Sequence, residues 1–175
     1  MNLFTGILIE DQTYMTQLVN FCDKYHARVL SCLPWMAAEL ASNSGFSTMI
    51  GIIQQYGGRK LYIATNKADF NKKLDLNLSD TQYHRIIDNT DARGFVDLPS
   101  LWGVFLAVRR AAIIEALDAG YSNQEIITNF GITERGLRNY KKTGPADEAK
   151  KNTNRKSPKT AVKSSKEINK KADKD

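Results

Sequence analysis

Only two cysteines, Cys22 and Cys32, and two histidines, His26 and His84, occur in 175 residues. No apolar run approaches the ~20 residues that a membrane span needs, and nothing at the amino end reads as a secretory signal. So few cysteines in such a chain fit a reducing, cytoplasmic setting. Cys22 and His26 stand one helical turn apart with Cys32 further on, yet a zinc site needs a fourth ligand and His84 lies in unrelated context. Cysteine on an apolar stripe is the ordinary buried kind. Paired carboxylates, a Gly-rich phosphate loop and a Ser/His/Asp grouping are also lacking, so no enzyme, metal or cofactor is expected. The body of the chain lacks a charge surplus too. Of the net +6, residues 143–175 carry ten Lys/Arg against five Asp/Glu, and residues 1–142 fifteen against fourteen.

What is present is the stretch Ser122 to Lys142, SNQEIITNFGITERGLRNYKK, which reads as a helix-turn-helix. Ser122 is placed to cap the first helix, with Glu125 three residues on to complete a capping box. Gly131 supplies the turn and Thr133 restarts a helix. Ile126, Ile127, Phe130, Ile132, Leu137 and Tyr140 give each short helix an inner face. Thr133, Glu134, Arg135, Arg138, Asn139, Lys141 and Lys142 are left as the face or edge to be presented to a major groove. Gly136 sits inside the second helix, where it costs about 1 kcal/mol relative to Ala, and Ile127 holds the position where the helices approach most closely. The larger side chain is expected to face the missing one, keeping the volume constant.

Taken in order, residues 3 to 9 could be a short strand or an arm that packs on a partner. Tyr14, Met15, Leu18, Cys22, Tyr25 and Val29 recur at helical spacing, predicting one long helix from Asp11 to Cys32. Pro34 opens a second helix that Gly45 ends, and Phe46, Met49, Ile50, Ile53 and Tyr56 mark a third, stopped by Gly57-Gly58. RKLYIA then alternates like a strand. A lone strand cannot satisfy its backbone. Its partner is left open between Ile7 to Ile9, the alternating Leu74, Leu76 and Leu78, and the same strand of a second subunit.

Leu33 to Ala64, LPWMAAELASNSGFSTMIGIIQQYGGRKLYIA, followed at a distance by the helix-turn-helix, is similar to Mor, the middle operon regulator family of phage transcription activators. The resemblance covers roughly Leu33 to Ala64 and Arg109 to Lys142. It implies a phage or mobile-element activator that is a homodimer and works with RNA polymerase, with Gly57, Gly58 and Tyr62 in the family's turn and strand near DNA. Arg59 and Lys60 belong to the same run.

The expected fold is therefore mainly α. Residues 1–64 form a helical dimerisation domain ending in the Gly-Gly turn and strand, 65–98 a linker or insert with a short helix, 99–142 the helix-turn-helix domain, and 143–175 a disordered Lys-rich tail that adds phosphate attraction. Within the insert, Ser79 caps a helix through Tyr83, Ile86 and Ile87, and Asp91 to Gly94 closes it; the insert is read as a spacer, or else as a contact with polymerase or a partner. Asp97 and Pro99 open a central helix through Trp102, Phe105, Val108 and Leu117, with Arg109 and Arg110 expected on its exposed side, touching phosphate. Self-pairing of the strand would bury Leu61 and Ile63 between subunits and turn Lys60 and Tyr62 towards an inverted-repeat operator on double-stranded DNA. The expected function is sequence-specific, dimeric DNA binding in the bacterial cytoplasm, at the nucleoid. The resemblance alone favours activation over repression by the same reading head. An accessory or architectural protein of recombination or plasmid transfer is the alternative from another class.

Overall fold

The structure, a computed structural model, describes residues 3–8 and 10–142; the expectation for the Lys-rich segment 143–175 lies outside the described residues, as does the side chain of Lys142. The described residues are mainly helical, with eight helices and one two-stranded antiparallel sheet. Asp11 caps α1 (Gln12–Lys24), its carboxylate accepting from the Tyr14 N–H at 3.0 Å. The long first helix is broken: Tyr25, at φ −110° and ψ 37°, separates α1 from α2 (His26–Cys32). Leu33 is extended, as a residue before proline must be, and α3 (Trp35–Tyr56) follows Pro34. Gly45, at φ 82° and ψ 162°, divides α3 into the two helical stretches read separately in the sequence.

After the Gly-Gly turn, β1 (Lys60–Tyr62) takes none of the three partners left open for it. It pairs antiparallel with β2 (Phe95–Asp97) of its own chain, Lys60 opposite Asp97, Leu61 opposite Val96 and Tyr62 opposite Phe95. Leu61 and Ile63 are 4% and 3% exposed and lie in the chain's own core, so the expected burial between subunits is corrected. Leu3 to Leu8 is not a strand. It is an arm folded onto its own chain: the Phe4 ring sits edge-on to Phe21 at 4.9 Å and stacks on Phe130 at 5.5 Å. The Tyr14 hydroxyl donates to the arm's carbonyls at Leu3 and Gly6, 3.1 and 2.8 Å away.

The insert is more than a spacer. It contributes α4 (Lys67–Leu74), α5 (Asp80–Ile87) and β2, and it buries Phe70, Leu74, Leu78, Tyr83, Ile86, Val96 and Leu98 in the common core. Ser79 and Gln82 form the capping box of α5, and Gln82 also donates to Asn43 at 2.7 Å, which in turn donates to the buried Glu39 carboxylate at 3.1 Å. Arg85 closes that link with a 3.3 Å ion pair to Glu39, so α5 is tied to α3 by charge as well as by packing. One cluster of buried apolar residues runs from Phe4 to Leu137, across the boundaries expected at 64/65 and 98/99. At its centre is α6 (Leu101–Asp118), which packs against α2, α3, α7 (Asn123–Phe130) and α8 (Glu134–Lys142). Among the described residues no helix is long and apolar enough to cross a membrane.

Candidate nucleic-acid interface

Both halves of the capping box that starts α7 are made. The Ser122 hydroxyl accepts from the Glu125 N–H at 3.3 Å, and the Glu125 carboxylate accepts from the Ser122 N–H at 2.8 Å. The hydroxyl and N–H of Ser122 hold the Glu125 carboxyl below the usual carboxylate range, so the cap is in place wherever that group is ionised. Gly131 ends the helix at φ 59° and ψ 37°, the left-handed conformation that a side chain resists, and the N–H of Ile132 returns to the Ile127 carbonyl at 3.2 Å. Thr133 then accepts from the Gly136 N–H at 3.1 Å and so caps α8. Ile126, Phe130 and Leu137 are buried, with Ile127, Ile132 and Tyr140 packed half-buried beside them. The local chain is thus two short helices, α7 and α8, joined by a turn at Gly131.

Glu134, Arg135, Arg138, Asn139 and Lys141 are all exposed, carried by one helix whose Leu137 faces inward. Arg138 lies 3.8 Å from Glu134 one turn earlier, a loose exposed pair that steers the guanidinium along the helix without committing it. Lys141 donates to Asn123 at 2.8 Å, which clips the end of α8 to the start of α7. Asn123 was not singled out by the sequence, because an exposed amide carries no periodic signal. The expected compensation between Ile127 and Gly136 does not occur: a Cβ at Gly136 would meet only the Thr133 hydroxyl at 3.4 Å and Ile132 at 3.9 Å.

The other expected contacts sit elsewhere. Arg110 is only 7% exposed, and Arg109 donates to the carbonyl of Phe130 at the end of α7 with its Nε buried. Their expected place on an exposed side of α6 is corrected: Trp102 and Leu106 hold the exposed positions of that helix, Arg110 is buried, and Arg109 is half-buried with its guanidinium on α7. Arg109 acts as a bracket between α6 and α7. In the turn before β1, Gly57 has φ −64°, a value open to any residue, whereas Gly58 has φ +77°. Gly57 is needed for room: a Cβ there would stand 2.4 Å from the Ile53 carbonyl and 2.8 Å from that of Pro99. The backbone that comes close is thus the chain's own. Arg59 donates to the Gln55 carbonyl at 2.9 Å, closing the end of α3, and Lys60 pairs with Asp91 at 2.9 Å. Tyr62 is exposed and meets Phe95 edge to face at 5.4 Å.

Cys22 is buried, and burial pushes its thiol up to about 12, which keeps it protonated at neutral pH; the His26 ring stands edge-on to Phe46 at 5.4 Å. Among the described residues no group of three or more His, Cys, Asp or Glu is placed to hold a metal ion. Comparison with family models, with curated proteins and with solved structures finds no match to this chain, so any functional reading rests on its own residues.

Proposed function

We propose that this chain is a sequence-specific DNA-binding transcription regulator that reads the major groove with α8 and works as a homodimer on an inverted-repeat operator. One observation carries the reading: a doubly capped α7, a left-handed glycine turn and α8 are packed on α6 so that one helix buries Leu137 and offers Glu134, Arg135, Arg138, Asn139 and Lys141 together. Arginine paired bidentately with guanine and asparagine with adenine are the side chains such a face uses. Activation with RNA polymerase follows from the resemblance to Mor regulators and not from the reading head, which serves repressors equally well. The setting would be the bacterial cytoplasm, at the nucleoid. The two-fold ribbon through β1 is not part of this reading, since β1 is paired within its own chain.

The test is selection of bound sequences from random DNA, followed by mapping of bound sites and transcript changes on deletion. An enriched inverted repeat is expected, with half-sites a multiple of about 10 to 10.5 base pairs apart. Arg138→Ala should then lose about 1 to 3 kcal/mol of discrimination at one or two positions of each half-site while binding random DNA nearly as before. Equal loss on cognate and random DNA would reduce Arg138 to a phosphate contact, and failure to enrich any sequence would sink the reading.

A further inference from the structure

A helix that pairs its side chains with base edges must be held at one angle, and α8 has little with which to hold itself. It is nine residues long, and among its described side chains only Leu137 is buried. A helix pinned at one point can rock about it, so its pose is set by the turn that delivers it. The residue before that turn, Phe130, is gripped on two sides. Its carbonyl accepts from the Arg109 guanidinium of α6. Its ring is stacked at 5.5 Å on Phe4, from the other end of the chain, and the Thr5 methyl of the same arm lies 3.9 Å from where a Cβ on Gly131 would stand. The arm that reaches the turn is in its own right tied to α1. Phe4 meets Phe21 edge-on at 4.9 Å, and the Tyr14 hydroxyl holds the arm's carbonyls at Leu3 and Gly6. Within the arm only Phe4 is buried, Thr5 and Leu8 are exposed, and none of it belongs to a helix or strand. A segment held by so few buried contacts opens at a lower free energy than the core beneath it.

We propose that the amino-terminal arm is a strap that fixes the pose of α8, with Phe4 as the positioning residue and the Tyr14 hydroxyl as its clasp. The inference rests on the reading of α8 as the base-reading helix and names the element that pre-organises it. With the strap released, α8 samples several poses of which a fraction fits the groove, and the apparent affinity for a cognate site falls by that fraction. Attraction of surface cations to phosphate needs no fixed pose, so random DNA is bound as before.

Full-length variants separate the parts. Phe4→Ala empties the seat between Phe21 and Phe130, Phe4→Met refills it with a side chain that keeps contact with both rings, and Tyr14→Phe removes the hydroxyl alone. In Phe4→Ala the hydrogen-exchange protection of α7 and α8 should fall about tenfold further than that of α3 and α6. Tyr14→Phe should move the same amides in the same direction by less, and Phe4→Met should restore them to within about threefold of wild type. Binding should follow the same order, Phe4→Ala being about tenfold weaker on the selected cognate sequence and unchanged on random DNA. Unchanged protection of α7 and α8, an equal loss in every helix, or equal weakening on cognate and random DNA would overturn the proposal. If wild type selects no DNA sequence, the exchange pattern decides alone: a loss concentrated in α7 and α8 leaves the strap standing and removes only the base-reading role.

Discussion

At the scale of the residue, adjacent positions of one kind do different work. Gly57 and Gly58 look interchangeable in the sequence, but a methyl at Gly57 collides with two backbone carbonyls, and at Gly58 it meets only the backbone's preference, its nearest neighbour being the Ser100 Cβ at 3.6 Å. Gly57→Ala should therefore cost about 3 kcal/mol in urea unfolding and Gly58→Ala about 1 kcal/mol; equal costs would mean that the turn shifts freely. Asp91 is a second such residue. Its carboxylate accepts from Lys60 at 2.9 Å and from the N–H groups of Arg93 and Phe95, both at 3.0 Å. These contacts, Lys60 first, hold its pKa down to about 2 from an ordinary 3.8. A depressed carboxyl stabilises the fold fully above its ordinary value and loses that contribution as pH falls through the folded one. The stability gap between wild type and Asp91→Asn should thus be constant above about pH 4.5, shrink between about 4 and 2, and close below about 2. A gap that persists in acid would assign the effect to the loop's shape and not to its charge.

At the scale of the element, the helices were legible wherever a cap, a glycine and a periodic apolar face agreed. Ser122, Glu125 and Gly131 mark α7, Ser79 marks the start of α5, and Gly45 splits α3 where the sequence places a boundary. In α8 the glycine at 136 answers no such need: with its nearest contacts, Thr133 and Ile132, at 3.4 and 3.9 Å, Gly136→Ala should raise the unfolding free energy by about 0.5 to 1 kcal/mol. A fall would show that the helix uses a conformation closed to alanine. Three features were not legible, the first being α4, whose Leu74 the sequence offered with Leu76 and Leu78 as an alternating strand. The break at Tyr25 has no proline or glycine to announce it, and the three residues of β2 are too few for alternation to register. The partner of β1 was missed for that reason, since the closing turn at Asp91 to Gly94 was visible while the strand after it was not. Arg109 and Arg110 were misplaced by a related blindness: periodicity shows that a helix is apolar on several sides, but not which side is left open, and in α6 the exposed positions go to Trp102 and Leu106.

At the scale of the whole molecule, a single core makes local damage general. Leu61, expected to face another subunit, sits beside Ile63 and Val96 in the cluster that also holds Phe105 and Leu137. Leu61→Asp should therefore remove about 4 kcal/mol or more and lower the cooperative thermal transition of the entire chain, α8 included, instead of yielding a folded monomer. A monomer with α7 and α8 still protected from hydrogen exchange would contradict that. The shared core also has a clock in it. The faces of α2 and α3 that meet α6 are finished when Tyr56 has been made, whereas α6 is complete only at Asp118. At about 5 to 20 residues per second, the intervening roughly sixty residues leave those faces bare on the nascent chain for about 3 to 12 s. The arm waits longer still: half of the seat of Phe4, the ring of Phe130, is made more than a hundred residues after it. The apolar face of the arm thus stays half-uncovered on the growing chain until α7 has been made.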